Sequence, residues 1–153
     1  MSAAVSPGLS RLLDHLELIE DRHERIELLI EIADRYRDVP SSVARRPYPR
    51  ERLVPACESE AYFWAEDIEG PDGPFRIHFA VENPQGISAR AMAVILDESL
   101  SGRPLEELAE LSTDLPHEIF GRELSLGKNL GLAGMVGMVR AAARGRLRKA
   151  GEP

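Results

Sequence analysis

Four prolines, Pro40, Pro47, Pro49 and Pro55, fall within sixteen residues of this chain. Each fixes φ and removes a backbone donor, so residues 39–56 can form neither a helix nor an inner strand. They predict an extended surface crossing that divides the chain into two parts. Before it, apolar residues recur at Leu9, Leu12, Leu13, Leu16 and Ile19, then at Ile26, Leu29, Ile30, Ala33 and Tyr36. That is helical spacing with acids and arginines opposite, and it predicts one short and one longer helix.

After the crossing, Tyr62–Ile68 and Phe75–Val81 are aromatic and β-branched runs separated by Glu69-Gly70-Pro71-Asp72-Gly73-Pro74. They predict an antiparallel hairpin. Phe75, Ile77, Phe79 and Val81 alternate with Arg76, His78 and Ala80, the pattern of a sheet buried on one face. Helical spacing resumes from Ala89 to Leu100. A short helix follows Pro104 through Leu111, another turn spans Pro116 to Phe120, and a last helix covers about Asn129 to Arg146. This order lacks the alternation of strand and helix that builds a parallel sheet. The expected class is α+β, with a small antiparallel sheet of about three strands packed against several helices. One domain is expected over 9–147, with flexible tails at 1–8 and 148–153.

The net charge of −7 argues against nucleic-acid binding, which needs clustered Lys and Arg. Basic residues gather in two places, Arg45, Arg46, Arg50 and Arg52 on the proline-rich crossing, and Arg140, Arg144, Arg146, Arg148 and Lys149 near the end. Both runs read as solvated surface or helix-end charge, or else as docking sites for an acidic protein face. No stretch is apolar enough to span a bilayer and none resembles a secretory signal, so a reducing cytoplasm is the expected location.

Cys57 is the only cysteine. That excludes an intrachain disulfide and an all-cysteine metal or cluster site. A nucleophile, a sulfur carrier or an inert core residue remain. Glu58 and Glu60 bracket the thiol, while Arg50, Arg52 and Lys128 are candidate cations near it, and these opposed charges leave the sign of their net effect open. His15, His23, His78 and His117 share no ligand spacing, and a Cys-His hydrolase would require one of them beside Cys57 in space. Asp67, Glu69, Asp72, Glu82, Asp97 and Glu98 match no converging carboxylate pair and read as surface charge. Gly127-Lys128-Asn129 lacks the first glycine and the hydroxyl of a P-loop. Gly127, Gly131, Gly134 and Gly137 recur at three- and four-residue steps, which gives a helix face open to close backbone packing or a surface kept flat for a partner.

In that context Val54, Cys57 and Ser59 match a Val-x-Gly-Cys-x-Ser-x-Val-Trp signature, with Ala56 in the glycine place and Ala61, Tyr62 and Trp64 near its end. Glu24–Ala33, followed by Val39-Pro40, is similar to a helix that ends in Leu-Pro. Leu124, Ser125, Gly131 and Leu132 keep a Leu-Ser-x-x-Arg-x-Asn-Gly-Leu pattern, with Lys128 for the arginine and Leu130 for the asparagine. Across Leu12 to Ala143 the chain resembles the SufE family of sulfur acceptors.

The resemblance implies a SufE/IscU-like fold and a sulfur carrier that takes a persulfide sulfur onto Cys57. Val54, Ala56 and Ser59 would support its loop, and Arg45, Arg46, Arg50, Arg52 and Lys128 would dock the donor. The implied partners are a PLP-dependent cysteine desulfurase (SufS-like), which the carrier stimulates, and an Fe-S scaffold complex (SufBCD-like). Neither a resident cofactor nor a metal is implied, only a transient persulfide, and the chain would serve a desulfurase without being a stand-alone enzyme. A non-catalytic binding module of the same fold, or a cysteine-dependent hydrolase, are the alternatives.

Overall fold

A computed structural model describes residues 6–121 and 124–151 of the 153-residue chain. Ser6, fully buried, opens the first helix, α1 (Pro7–Leu18), its Oγ accepting from the Leu9 amide at 3.1 Å. Pro7 occupies the first turn, where its missing donor costs nothing. α2 (Arg22–Asp34) is capped by Asp21, whose carboxylate accepts from the His23 amide. Then come a 3₁₀ turn (Arg50–Arg52), β1 (Ala61–Asp67), β2 (Phe75–Val81), α3 (Ile87–Leu100), α4 (Leu105–Ala109), α5 (Leu115–Phe120) and α6 (Leu126–Ala150). The class is α+β, as the element order predicts.

Of the tails expected at 1–8 and 148–153, Pro7 and Gly8 belong to α1, and Arg148–Ala150 to α6. Residues 1–5 and 152–153 lie outside the described residues.

The described residues form two strands where about three were expected. β1 and β2 pair antiparallel in the register Phe63↔Phe79. A third strand is replaced by single groups that satisfy the open edge of β2 at every second residue. Gly102 N donates to Phe75 O, Ile77 N to Ser101 Oγ, Val39 N to Phe79 O, and Val81 N to the Tyr36 hydroxyl. One edge group at each of those four positions is thus bonded without a further strand. The outer edge of β1 meets only the bridge Leu53↔Tyr62, because the prolines around it allow no longer ladder.

Phe63, Phe75, Ile77, Phe79 and Val81 face the main core, where α3 and α6 supply Met92, Leu96, Met135, Val136 and Val139. The opposite face, expected to be open, is covered. Val39, Tyr62, Trp64 and Ala80 form a second buried cluster beneath the proline-rich strap, with the Tyr48 ring 5.0 Å from Trp64. Arg46 latches the strap, its guanidinium 2.7 Å from Glu82 and 3.4 Å from Asp38.

α2 presents a different face from the one its periodicity suggests. Leu29, Ile32 and Ala33 are buried, whereas Ile26 and Ile30 are 36% and 41% exposed. Arg25 fixes this orientation by donating to the carbonyls of Leu16, Glu118 and Ile119, at the ends of α1 and α5. The C-terminal basic run is similarly occupied with structure. Arg140 and Arg144 donate to Leu111 O and Ala109 O, and Arg146 donates to Gly70 O and Gly73 O and pairs with Asp67.

Candidate functional site

Val54 N donates to Ala61 O at 2.8 Å and closes the neck of a six-residue loop, Pro55 to Glu60, at whose tip region Cys57 sits half-buried. Val54 itself is 1% exposed and anchors the neck in the core. Two left-handed residues shape the loop, Ala56 at φ 58° and Glu60 at φ 52°. This conformation crowds Cβ against the backbone and is natural for glycine, so Ala56 carries strain in the place where the signature has glycine. Glu60 N donates to Cys57 O, and the far side is tied to the β2–α3 connection through Glu82 N to Glu60 O and Asn83 N to Ser59 O.

Glycines grip the loop from two sides. A β-carbon at Gly131 would stand 2.9 Å from Cys57 Cα, and one at Gly134 would stand 2.8 Å from Pro55 O. At Gly127 it would meet the Glu58 carboxylate at 2.9 Å, and at Gly86, which precedes α3, it would meet Ser59 Oγ at 2.8 Å. The helix face left bare by these glycines is therefore packed against the thiol loop itself. Gly137, with nothing within 4 Å, does not share the role.

The thiol opens on a cavity of about 300 Å³ that Glu58, Ser59, Asn83, Gln85, Ser88 and Lys128 line with polar groups. The two acids beside Cys57 point to different environments. Glu58 lies over the first turn of α6, where the helix dipole favours negative charge. Glu60 accepts from the Tyr62 hydroxyl at 3.2 Å, and burial followed by this bond holds the Tyr62 phenol above the ordinary tyrosine value.

Of the cations expected to dock a partner, Lys128 lines the Cys57 cavity. Arg46 is committed to Glu82 and Asp38 and lies over the Tyr48 ring, while Arg45, Arg50 and Arg52 are exposed on the strap outside the cavity lining. Sequence reasoning does not single out Asn83, Gln85 or Ser88. Asn83-Pro84-Gln85-Gly86 is legible as a turn, and the Asn83 side chain does accept from the Gln85 amide, but nothing in such text shows which cavity a turn will border. No histidine lines the cavity, and His78 instead pairs with Glu66 at 2.8 Å. Among the described residues no group of three or more His, Cys, Asp or Glu could hold a metal ion. Nor, among them, is any helix long and apolar enough to cross a membrane.

Six chains of known structure match this one. One, described as the solution structure of a hypothetical protein from Thermus thermophilus, superposes with a TM-score of 0.69 at 22% identity, covering 94% of this chain and 98% of its own. At that identity it supports the fold. No curated protein matches. The family model of the SufE, Fe-S metabolism associated domain matches residues 10–143, nearly the whole described structure and all of the cysteine loop and its glycine clamp. The chain belongs to the SufE family.

Proposed function

We propose that this protein accepts sulfur from a PLP-dependent cysteine desulfurase onto Cys57 and passes it to an Fe-S scaffold complex. The observation that carries the reading is the lone thiol, half-buried in a braced loop and open to a polar cavity with room for another sulfur atom. The family's association with Fe-S metabolism supports the destination.

The chemistry is thiol–persulfide exchange. The Cys57 thiolate attacks the outer sulfur of the donor's persulfide, a new S–S bond forms on Cys57, and the donor's S–S bond breaks. The bonding pair leaves with the donor cysteine as its thiolate. No electrons are gained or lost overall, so the step needs neither a resident metal nor a resident cofactor. A second exchange of the same kind would unload Cys57 onto the recipient. Val54 fixes the neck, Ala56 and Glu60 set the backbone path, Ser59 and Lys128 line the cavity on which the thiol opens, and Arg45, Arg50 and Arg52 offer exposed cations for docking beside the latched Arg46.

A carrier that removes the donor's persulfide should speed a desulfurase limited by that removal. Alanine production from cysteine, with limiting reductant, tests this. The native chain should accelerate it and Cys57→Ser should not. Equal stimulation by both proteins would favour a binding module that acts without its thiol.

A further inference from the structure

Beside the Cys57 cavity lies a second one of about 360 Å³ with a largely apolar lining. Ile26 and Ile30, one turn apart on α2, face it with Ile87 at the start of α3, and these three are 36%, 41% and 50% exposed. Scattered surface hydrophobics are ordinary, but contiguous ones mark contact surfaces. Of the seven large apolar side chains exposed among the described residues, three line this groove, and two more, Leu126 and Leu130, lie in the opening turns of α6, which bounds it through Lys128.

The groove and the thiol cavity form one continuous surface, since Ile87, Ser88 and Lys128 line both. Its groove side is positive on a chain of net charge −7, with Arg22, Arg25 and Lys128 against Glu20, and Glu58 adds a second acid on the thiol-cavity side. The Arg25 guanidinium is held there by three backbone carbonyls, so this charge is fixed in place before any partner arrives.

We infer that this groove seats an apolar segment, flanked by acidic residues, of the protein that delivers the persulfide. The inference rests on the sulfur-acceptor reading above. A half-buried thiol in a cavity wall is reachable only by a projecting chain, and that chain must rest on the rim it crosses. The groove is an apolar rim directly continuous with the thiol cavity, with Arg25 and Lys128 lining it as cations that attract acids on the incoming chain.

The test compares Ile26→Glu and Ile30→Glu with Leu18→Glu, a change at a side chain 80% exposed on α1 and outside the groove. Two readouts are taken for each, the acceptor concentration that half-saturates sulfur transfer from a cysteine desulfurase, and loading of Cys57 by glutathione persulfide. Groove variants should raise the half-saturating concentration about tenfold or more, as loss of a central interface contact does. Loading by the small persulfide, and both readouts for Leu18→Glu, should be unchanged. Unaltered half-saturation in the groove variants, with the native chain active, would overturn the groove and leave the carrier role standing. Impaired loading by the small persulfide would also overturn it, by placing the damage at Cys57. So would sedimentation showing that the variants dissociate a native dimer, since the occupant would then be a second copy of this chain. A native chain loaded by glutathione persulfide but by no desulfurase would remove the donor reading itself, and the groove with it.

Discussion

Cys57 Cα and the position a β-carbon would take on Gly131 are 2.9 Å apart, so the thiol loop and the last helix touch backbone to backbone. A side chain on that helix position must push the loop aside, whereas Gly137, on the same helix, faces open space. The two glycines should respond oppositely to alanine. Gly137→Ala should stabilise the protein by up to about 1 kcal/mol through backbone entropy alone. Gly131→Ala gains the same entropy but meets an overpacking cost of about 1–3 kcal/mol, so it should destabilise by roughly 1 kcal/mol net and slow loading of Cys57. Urea denaturation gives both signs. A stabilising Gly131→Ala would mean that the clamp is loose.

Ala56, at φ 58°, carries a conformational cost that glycine would not. Ala56→Gly should raise stability by about 0.5 kcal/mol, the relief of strain exceeding the extra freedom of the unfolded chain, while Ala56→Val should cost more than about 1 kcal/mol. Thermal or urea unfolding of the pair decides it, and a neutral valine would show that the loop relaxes out of the left-handed region.

These two cases show where sequence is legible and where it stops. The hairpin, the six helices' order and the irregular strap follow from proline placement and from periods of 2 and 3.6, because those patterns are local. Ala56 stands where the signature has glycine, and its left-handed backbone is a feature of the folded loop that the alanine in the sequence does not announce. The glycine spacing of α6 announces a close approach but does not say to what. The partner, a loop some seventy residues earlier, is fixed by tertiary packing alone. The buried face of α2 lies one step from the face its periodicity suggests, because Arg25 turns the helix by gripping the carbonyl ends of two others, and no single-sequence pattern encodes that contact. The missing third strand has the same origin, in Tyr36, Val39, Ser101 and Gly102 meeting at one sheet edge from distant places.

Tyr36 supplies the acceptor for Val81 N at 2.7 Å and donates to Asp38 at 2.6 Å. Tyr36→Phe leaves that amide without its partner and should cost about 1–2 kcal/mol. Burial first, then the bond to Asp38, push the phenol well above its ordinary value of 10. A raised folded-state value means that the native protein holds this proton more tightly than the unfolded chain. The stabilisation is therefore complete below pH 10 and is lost progressively as pH rises above it. Stability measured across the alkaline range should fall less steeply for Tyr36→Phe than for the native chain. Parallel slopes would contradict the assignment.

Arg46 ties the strap to Glu82 and Asp38 from an exposed position, so its removal should act locally. Arg46→Ala should leave the global unfolding midpoint nearly unchanged, as exposed pairs contribute little. Exchange of the Val39 amide, bonded to Phe79 O beneath the strap, should nevertheless accelerate, and high salt should produce part of the same effect in the native chain. Unchanged exchange would show that the aromatic cluster under the strap holds it without the latch.

The sulfur-carrying role proposed for Cys57 is open to direct test. Its most direct test is the intact and peptide mass of the protein after incubation with a cysteine desulfurase and cysteine, with Cys57→Ser and a reductant treatment in parallel. One added sulfur atom per transfer is expected on the Cys57 peptide, removed by reductant and absent from the serine variant. An intact, unmodified thiol after incubation with active desulfurase would contradict that role.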